Sequence, residues 1–369
     1  MRTIKEGGFV RNVLVVTVLL GLLVAAACGG NSANEATDAR GDRIIRFAFA
    51  PDPVIDYLKD TGTLAAFEEE WGVRLEMTSS WDEFAFFAGG HGDIVSMSTL
   101  DMPLLEQETG IEAVGFGKYN HTRLIIGVRC DSGYETIEDL VGKRFGVGNP
   151  VTTERLVGTL VNTLYDDIEF SLDGGDFEIV FNDHPVLPEL IARGEIDAAY
   201  MIPEFGASFM REGVICGLYD GKAAFEVYRD LLLDGEHEGL ESNLFVAERE
   251  WFESHPYEVQ FLLALWDEGV KLWYRDHTEI VGLYPQHFSV ESEEDIAYID
   301  KWIQDHQFVA ESAYLDEEWI AGEEQIFDLA EEAGYMEEGA SQPRIVKVER
   351  DIPEEIDMES ISAFPPPEL

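Results

Sequence analysis

The chain is poor in cysteine, histidine and basic side chains, and each shortage excludes something. Three cysteines (Cys28, Cys130 and Cys216) are spread over 369 residues, with no C-x-x-C pair. The eight histidines form no H-x-x-x-H pair. A structural zinc site and a zinc-protease helix are therefore not expected, and no metal or cofactor is called for. No G-x-S-x-G, G-x-x-x-x-G-K-[ST] or G-x-G-x-x-G run occurs, so the common nucleophile and nucleotide signatures are missing and no catalytic residue is assigned. Lys and Arg total 25 against 74 Asp and Glu, a formal charge of -49. Such a surface repels nucleic acid and anionic lipid. It does not make the chain disordered, because 46% of residues are hydrophobic and 11% aromatic, enough to build a core.

One long apolar run is present, and it lies at the start. Arg2, Lys5 and Arg11 precede Val13-Leu-Val-Val-Thr-Val-Leu-Leu-Gly-Leu-Leu-Val-Ala-Ala-Ala-Cys28. A basic start, an apolar stretch and small residues before a cut site are the parts of a secretory signal peptide. Small residues leading straight into Cys28 resemble a bacterial lipobox, although Ala25 stands where Leu is usual. The resemblance implies export, removal of residues 1–27, and lipidation of Cys28 at a membrane face. A retained transmembrane anchor is the alternative, for which the run is short of the roughly 20 residues a spanning helix needs. Residues 28–42, small and polar, read as a flexible tether. Cys130 and Cys216 could pair in an oxidising compartment. Two cysteines without metal spacing are more often buried thiols, and that is the expectation here.

Beyond the tether, strand and helix patterns alternate. Arg43-Ile-Ile-Arg-Phe-Ala-Phe reads as a strand, and Asp52-Pro53 as a helix cap followed by proline at the first helical position. Strands are expected again at residues 71–77, 94–97, 122–129, 143–148, 177–181 and 198–201, with helices between them. This rhythm predicts α/β units around mostly parallel sheets. The last third predicts long amphipathic helices over residues 256–275, 291–306 and 317–333, then an extended tail over 336–369. Gly90-His91-Gly92-Asp93 and Gly194-Glu195-Ile196-Asp197 both fit G-x-x-D before a short strand, which suggests two similar halves.

Several segments together resemble bacterial ABC-transporter substrate-binding proteins of the nitrate/sulfonate/taurine type. They are Asp139-Leu-Val-Gly-Lys-Arg-Phe-Gly-Val147, Thr152-Thr153, Leu190-Ile-Ala-Arg-Gly-Glu-Ile-Asp-Ala-Ala199 and Ser254-His-Pro-Tyr-Glu-Val259. Met201-Ile-Pro-Glu-Phe205 departs from the Trp-Glu-Pro found in much of that branch. The resemblance implies a type II periplasmic-binding-protein clamp, an α/β fold of two lobes joined by two crossing hinge strands. Residues 43–128 plus 245–335 would form one lobe and 129–244 the other, with crossings near residues 126–129 and 243–247. It also implies a monomer that binds a small solute, meets permease subunits, and catalyses nothing.

Ligands of open α/β sheets sit beyond the carboxyl ends of the strands. That rule selects the loops holding Asp52, Ser98, Thr99, Tyr119, Asn120, Thr152, Thr153, Glu204 and Phe205 as candidate ligand residues. Hydroxyls and helix starts at Ser98-Thr99 and Thr152-Thr153 suit an anion such as a sulfonate, nitrate or carboxylate. Asp52, Asp101 and Glu204, with Trp81, Tyr119, Tyr200 and Phe205, would suit a cationic or heteroaromatic solute such as a pyrimidine vitamin precursor. The anion is preferred on the resemblance. A sensor with the same clamp, or an enzyme like thiamine-pyrimidine synthase, are the other readings. The cysteine-rich motif of that enzyme does not occur here.

Overall fold

The computed structural model describes residue 41 and residues 43–173, 175–233 and 242–361. The leader, Cys28, the tether apart from Gly41, and residues 362–369 lie outside them. Among the described residues eleven strands form two sheets. The first, in spatial order β11-β4-β10-β3-β1-β2, holds β1 (Arg43–Phe49), β2 (Val73–Ser79), β3 (Ile94–Ser98), β4 (Ala113–His121), β10 (Ser242–Glu248) and β11 (Arg344–Ile345). The second, β7-β6-β8-β5-β9, holds β5 (Ile125–Arg129), β6 (Arg144–Val147), β7 (Glu178–Phe181), β8 (Ala198–Met201) and β9 (Ile215–Gly217). The chain passes from the first sheet to the second over residues 122–124, just ahead of the expected 126–129. It has returned by Ser242, where β10 begins.

The expectation of mostly parallel sheets holds for the βαβ units and fails at the passages. β1 runs parallel to β2 and β3, and β6 parallel to β7 and β8. β10 is antiparallel to β3 and β4, and β5 antiparallel to β8 and β9. Each is the first strand of its sheet after the chain arrives from the other, so it enters against the grain. β4 escaped the sequence pattern. All nine of its residues are buried, so no alternation marks it, and Gly115 and Gly117 stand where β-branched residues would have signalled a strand.

The internal echo is geometric. Asp93 accepts the backbone N–H of Arg46 at 2.7 Å and its Nε at 3.1 Å. Asp197 accepts the backbone N–H of Arg144 at 3.0 Å and its Nε at 2.9 Å. In both copies a glycine at positive φ ends the preceding segment, Gly90 at 75° and Gly194 at 69°, where a side chain would be strained. The residues after Arg and Asp then pair in parallel register, Phe47 with Ile94 and Phe145 with Ala198. Each sheet is thus pinned by the same arginine–aspartate clamp, and the Arg144 guanidinium holds the Asp197 carboxyl below its usual range.

The Pro256–Leu283 helix is the main prop of the first sheet. Trp266 stacks on Tyr119 at 4.4 Å between centroids and donates its indole N–H to the Tyr119 carbonyl at 2.8 Å. Phe47, Phe116 and Phe245 close the same cluster. In the second half, Phe145, Phe170 and Phe177 pack edge to face and tilted. The Glu317–Glu332 helix touches both the turn after β3 and the Pro150–Leu164 helix, so it spans the two halves.

One expectation is corrected. Cys130 and Cys216 form a disulfide and are not free thiols. The cause is β9, which the sequence pattern did not reveal: its antiparallel pairing sets Cys216 opposite Val128, beside the end of β5. The tail is extended but it is also docked. β11 pairs with β4, Arg350 donates to Asp267 at 2.7 Å, and Ile356 and Ile361 are buried.

Candidate functional site

Loops from the two sheets meet around a cavity of about 60 Å3. Its floor is the passage itself, Thr122, Arg123 and Leu124. One wall carries Trp81, Glu83 and Ser98 from the first sheet, with Asn243 from β10. The opposite wall carries Asn149, Thr152, Thr153, His184 and Tyr200 from the second. Asn149 caps the Pro150–Leu164 helix, accepting the Thr152 N–H at 3.3 Å with its side-chain oxygen. Its amide reaches across to donate to the Trp81 carbonyl at 3.2 Å. Thr152 donates across the same gap to Asp101 at 2.9 Å. The walls are therefore in contact, and the cavity lies behind that contact.

Arg123 forms a buried ion pair with Glu204 and lies 4.2 Å over the Phe308 ring. Asp52 faces the same guanidinium. Burial pushes both carboxyls up, and Arg123 opposes that shift in each. His184 sits 5.2 Å from Trp81, ring to ring, in a notch that only glycine permits: a Cβ on Gly148 would lie 2.3 Å from its Nδ1. Burial, helped by Arg123, lowers His184 to about 4, so it is neutral at physiological pH. Burial raises Glu83 to about 8, with Asp101 and Asp82 adding repulsion. Asp101 itself is raised to about 6 by burial, against the pull of its Thr152 bond.

Four side chains that line the cavity hold a buried polar atom with no protein partner: Glu83 Oε2, Thr122 Oγ1, Thr153 Oγ1 and His184 Nδ1. Buried polar groups without partners are uncommon, and four around one cavity mark a place built for a polar guest.

Of the nine candidates, Ser98, Thr152 and Thr153 line the cavity. Ser98 also caps the turn after β3, accepting the Leu100 N–H at 3.2 Å. Asp52, Glu204 and Phe205 stand one layer back. Asp52 caps the Pro53–Asp60 helix through Val54 at 2.8 Å, and Phe205 packs edge-on to Trp81 at 6.1 Å. Thr99, Tyr119 and Asn120 lie outside the lining. Thr99 donates to buried Glu323 at 2.5 Å, Tyr119 packs on Trp266, and Asn120 accepts from Asn243 at 3.0 Å. Glu83, Thr122, His184 and Asn243 were not foreseen. Each is a lone polar residue on a different element, and no spacing in the sequence links them.

Two α/β halves with a polar cavity at their junction define a solute-binding clamp. The family model described as "ABC transporter, phosphonate, periplasmic substrate-binding protein" matches residues 52–217, which reach from the first sheet through the second. The matched segment and the architecture give the chain the periplasmic-binding-protein fold. The structure resembles the alkanesulfonate-binding protein SsuA from Xanthomonas axonopodis pv. citri bound to MOPS. Identity is 15%, TM-score 0.58, and the match covers 82% of this chain and 95% of that one. It also resembles the periplasmic aliphatic sulphonate binding protein SsuA from Escherichia coli, with 16% identity, TM-score 0.55, and 80% and 94% covered. A Candida albicans protein with the generic periplasmic binding protein fold aligns at 10% identity and TM-score 0.56, over 85% and 99%. At such identities the likeness is one of fold. No curated protein matches the chain by sequence.

Proposed function

We propose that the cavity captures a small anion of the sulfonate or phosphonate kind and that the protein delivers it to a membrane permease without changing it. One observation carries the anionic reading. Of the acidic and basic side chains that line the cavity, Glu83, Arg123 and His184, Arg123 alone is charged at neutral pH. The start of the 15-residue Pro150–Leu164 helix adds the positive end of its dipole, with the Thr152 and Thr153 hydroxyls beside it. The two SsuA proteins, one bound to MOPS and the other an aliphatic sulphonate binding protein, agree with that chemistry. A cationic or heteroaromatic solute would draw on Trp81 but would meet the Arg123 guanidinium on the cavity floor. The two halves close by bending at residues 122–124, with the lobes as assigned above.

The reading is tested by thermal shift with sulfonates, phosphonates, nitrate, amines and pyrimidines. The right anion at a hundredfold excess over its Kd stabilises by about 3 kcal/mol. Stabilisation by an amine or pyrimidine and by no anion would overturn the reading. Thr153→Ala is expected to weaken binding about tenfold while the unliganded melting point stays put, since its hydroxyl has no protein partner to lose.

For location, the proposal is export with a lipid on Cys28, acting as a monomer held near its permease at high effective concentration. Cys28→Ser is expected to move the protein from the membrane to the soluble fraction with its solute affinity unchanged. Retention of the variant in the membrane would contradict the lipid anchor.

A further inference from the structure

We propose that Glu83 selects the solute: its neutral carboxylic acid donates a hydrogen bond through Oε2 to an oxygen of a fully ionised oxyanion, so capture depends on Glu83 being protonated. The inference rests on the anionic reading of the cavity and adds to it the group that decides when an anion is admitted.

The geometry narrows the choices. Glu83 lines the cavity with Arg123, Thr153 and His184, and its Oε2 is buried with no protein partner. An ionised carboxylate there would offer the guest only an acceptor and a like charge. A neutral acid offers a donor at the same spot. The charges around it favour the neutral form. Asp82 adjoins it in its own loop, and Asp101 faces it from the turn after β3. From β4, the Tyr119 hydroxyl is coupled to it electrostatically. The other titratable groups lining the cavity are Arg123, which is engaged with Glu204, His184, which is neutral, and the Tyr200 phenol. Burial in this setting raises Glu83 to about 8, which agrees with the geometric reading. Asp101 and His184 titrate lower, at about 6 and about 4, so a change centred near pH 8 belongs to neither. Cys130 and Cys216 are joined and do not titrate.

A sulfonate stays ionised across the accessible range, so any pH dependence of its binding comes from the protein. The sign follows directly: the binding form of Glu83 is the protonated one, present below its folded pKa and lost above it. Affinity for a sulfonate is therefore level up to about pH 8 and falls about tenfold per pH unit beyond it, roughly a hundredfold by pH 10.

The test is isothermal titration of the full chain with ethanesulfonate, and with butanesulfonate as a bulkier sulfonate, at pH 7, 8, 9 and 10. Glu83→Gln, which keeps an N–H donor at every pH, is run alongside. Expected are a loss above pH 8 in the unaltered protein and a flat profile at near-neutral-pH affinity in Glu83→Gln. Sulfonate binding that is flat to pH 10 in the unaltered protein would overturn the role of Glu83 and leave the anionic reading standing. An equal decline in Glu83→Gln would do the same. Failure of both sulfonates to bind at any pH, with phosphonates and nitrate also silent, would overturn the anionic reading and this inference with it. Circular-dichroism melts at each pH separate loss of affinity from loss of fold.

Discussion

Arg123→Ala is expected to abolish solute binding and to destabilise the free protein by about 3–5 kcal/mol. Arg123 is the charged group of the cavity floor and also the counter-ion of Glu204, which is 2% exposed. Removing it leaves Glu204 buried without an opposite charge, and Asp52 loses its facing cation as well. Breaking a buried pair from one side costs far more than the pair contributes, because the surviving charge has no solvent to turn to. A second variant separates the two effects. In Arg123→Met/Glu204→Leu both charges go, most of the stability returns, and binding stays absent. The pH dependence of the single variant carries a sign. Without Arg123, Glu204 and Asp52 rise further above their unfolded values. The folded protein then takes up protons at mildly acid pH, and the loss of stability shrinks as pH falls. Urea unfolding at pH 5 and 7.5 with titration calorimetry reads all three. A single variant as stable as the parent at pH 7.5 would show that Glu204 does not depend on Arg123.

Replacing Cys130 and Cys216 by serine is expected to lower stability by about 4–5 kcal/mol, close to what chain entropy gives for a bridge across a sequence separation of 86. The bridged loop contains β6, β7 and β8, so the loss falls on the second half and not on the first. Hydrogen exchange should quicken there while the Pro256–Leu283 helix stays protected. A double variant within about 0.5 kcal/mol of the parent would mean that β5 and β9 hold together without the bridge. A bridge of this kind also suits a protein folded outside the cytoplasm.

What could be read from the sequence depended on how local the signal was. The two G-x-x-D segments announced the duplicated unit because glycine, aspartate and strand lie within a few residues of one another. Their partner arginines went unread, since Arg46 and Arg144 lie about fifty residues upstream and meet Asp93 and Asp197 only through parallel pairing. Asp52 was read as a helix cap and is one. β4 and β9 were missed, one because it is buried along its whole length and the other because it has three residues. With β9 went the disulfide. The cavity was half legible. Strand-end loops pointed to Ser98, Thr152 and Thr153 by a general rule of α/β folds. Glu83 and His184 are brought to the cavity by tertiary packing alone, His184 through the notch at Gly148. The resemblance was to the sulfonate and nitrate branch, whereas the family model that matches is described for phosphonate. Both names refer to oxyanions, and the departure at Glu204 is the residue that pairs with Arg123.

The claim on which the rest stands is that an anion sits at the junction of the two sheets. A crystal structure of the protein with a bound sulfonate or phosphonate tests it most directly. The expected electron density lies between Arg123 and the start of the Pro150–Leu164 helix, within hydrogen-bond distance of Thr153 Oγ1 and Glu83 Oε2. Density for the anion elsewhere, with this cavity holding only water at saturating solute, would contradict it.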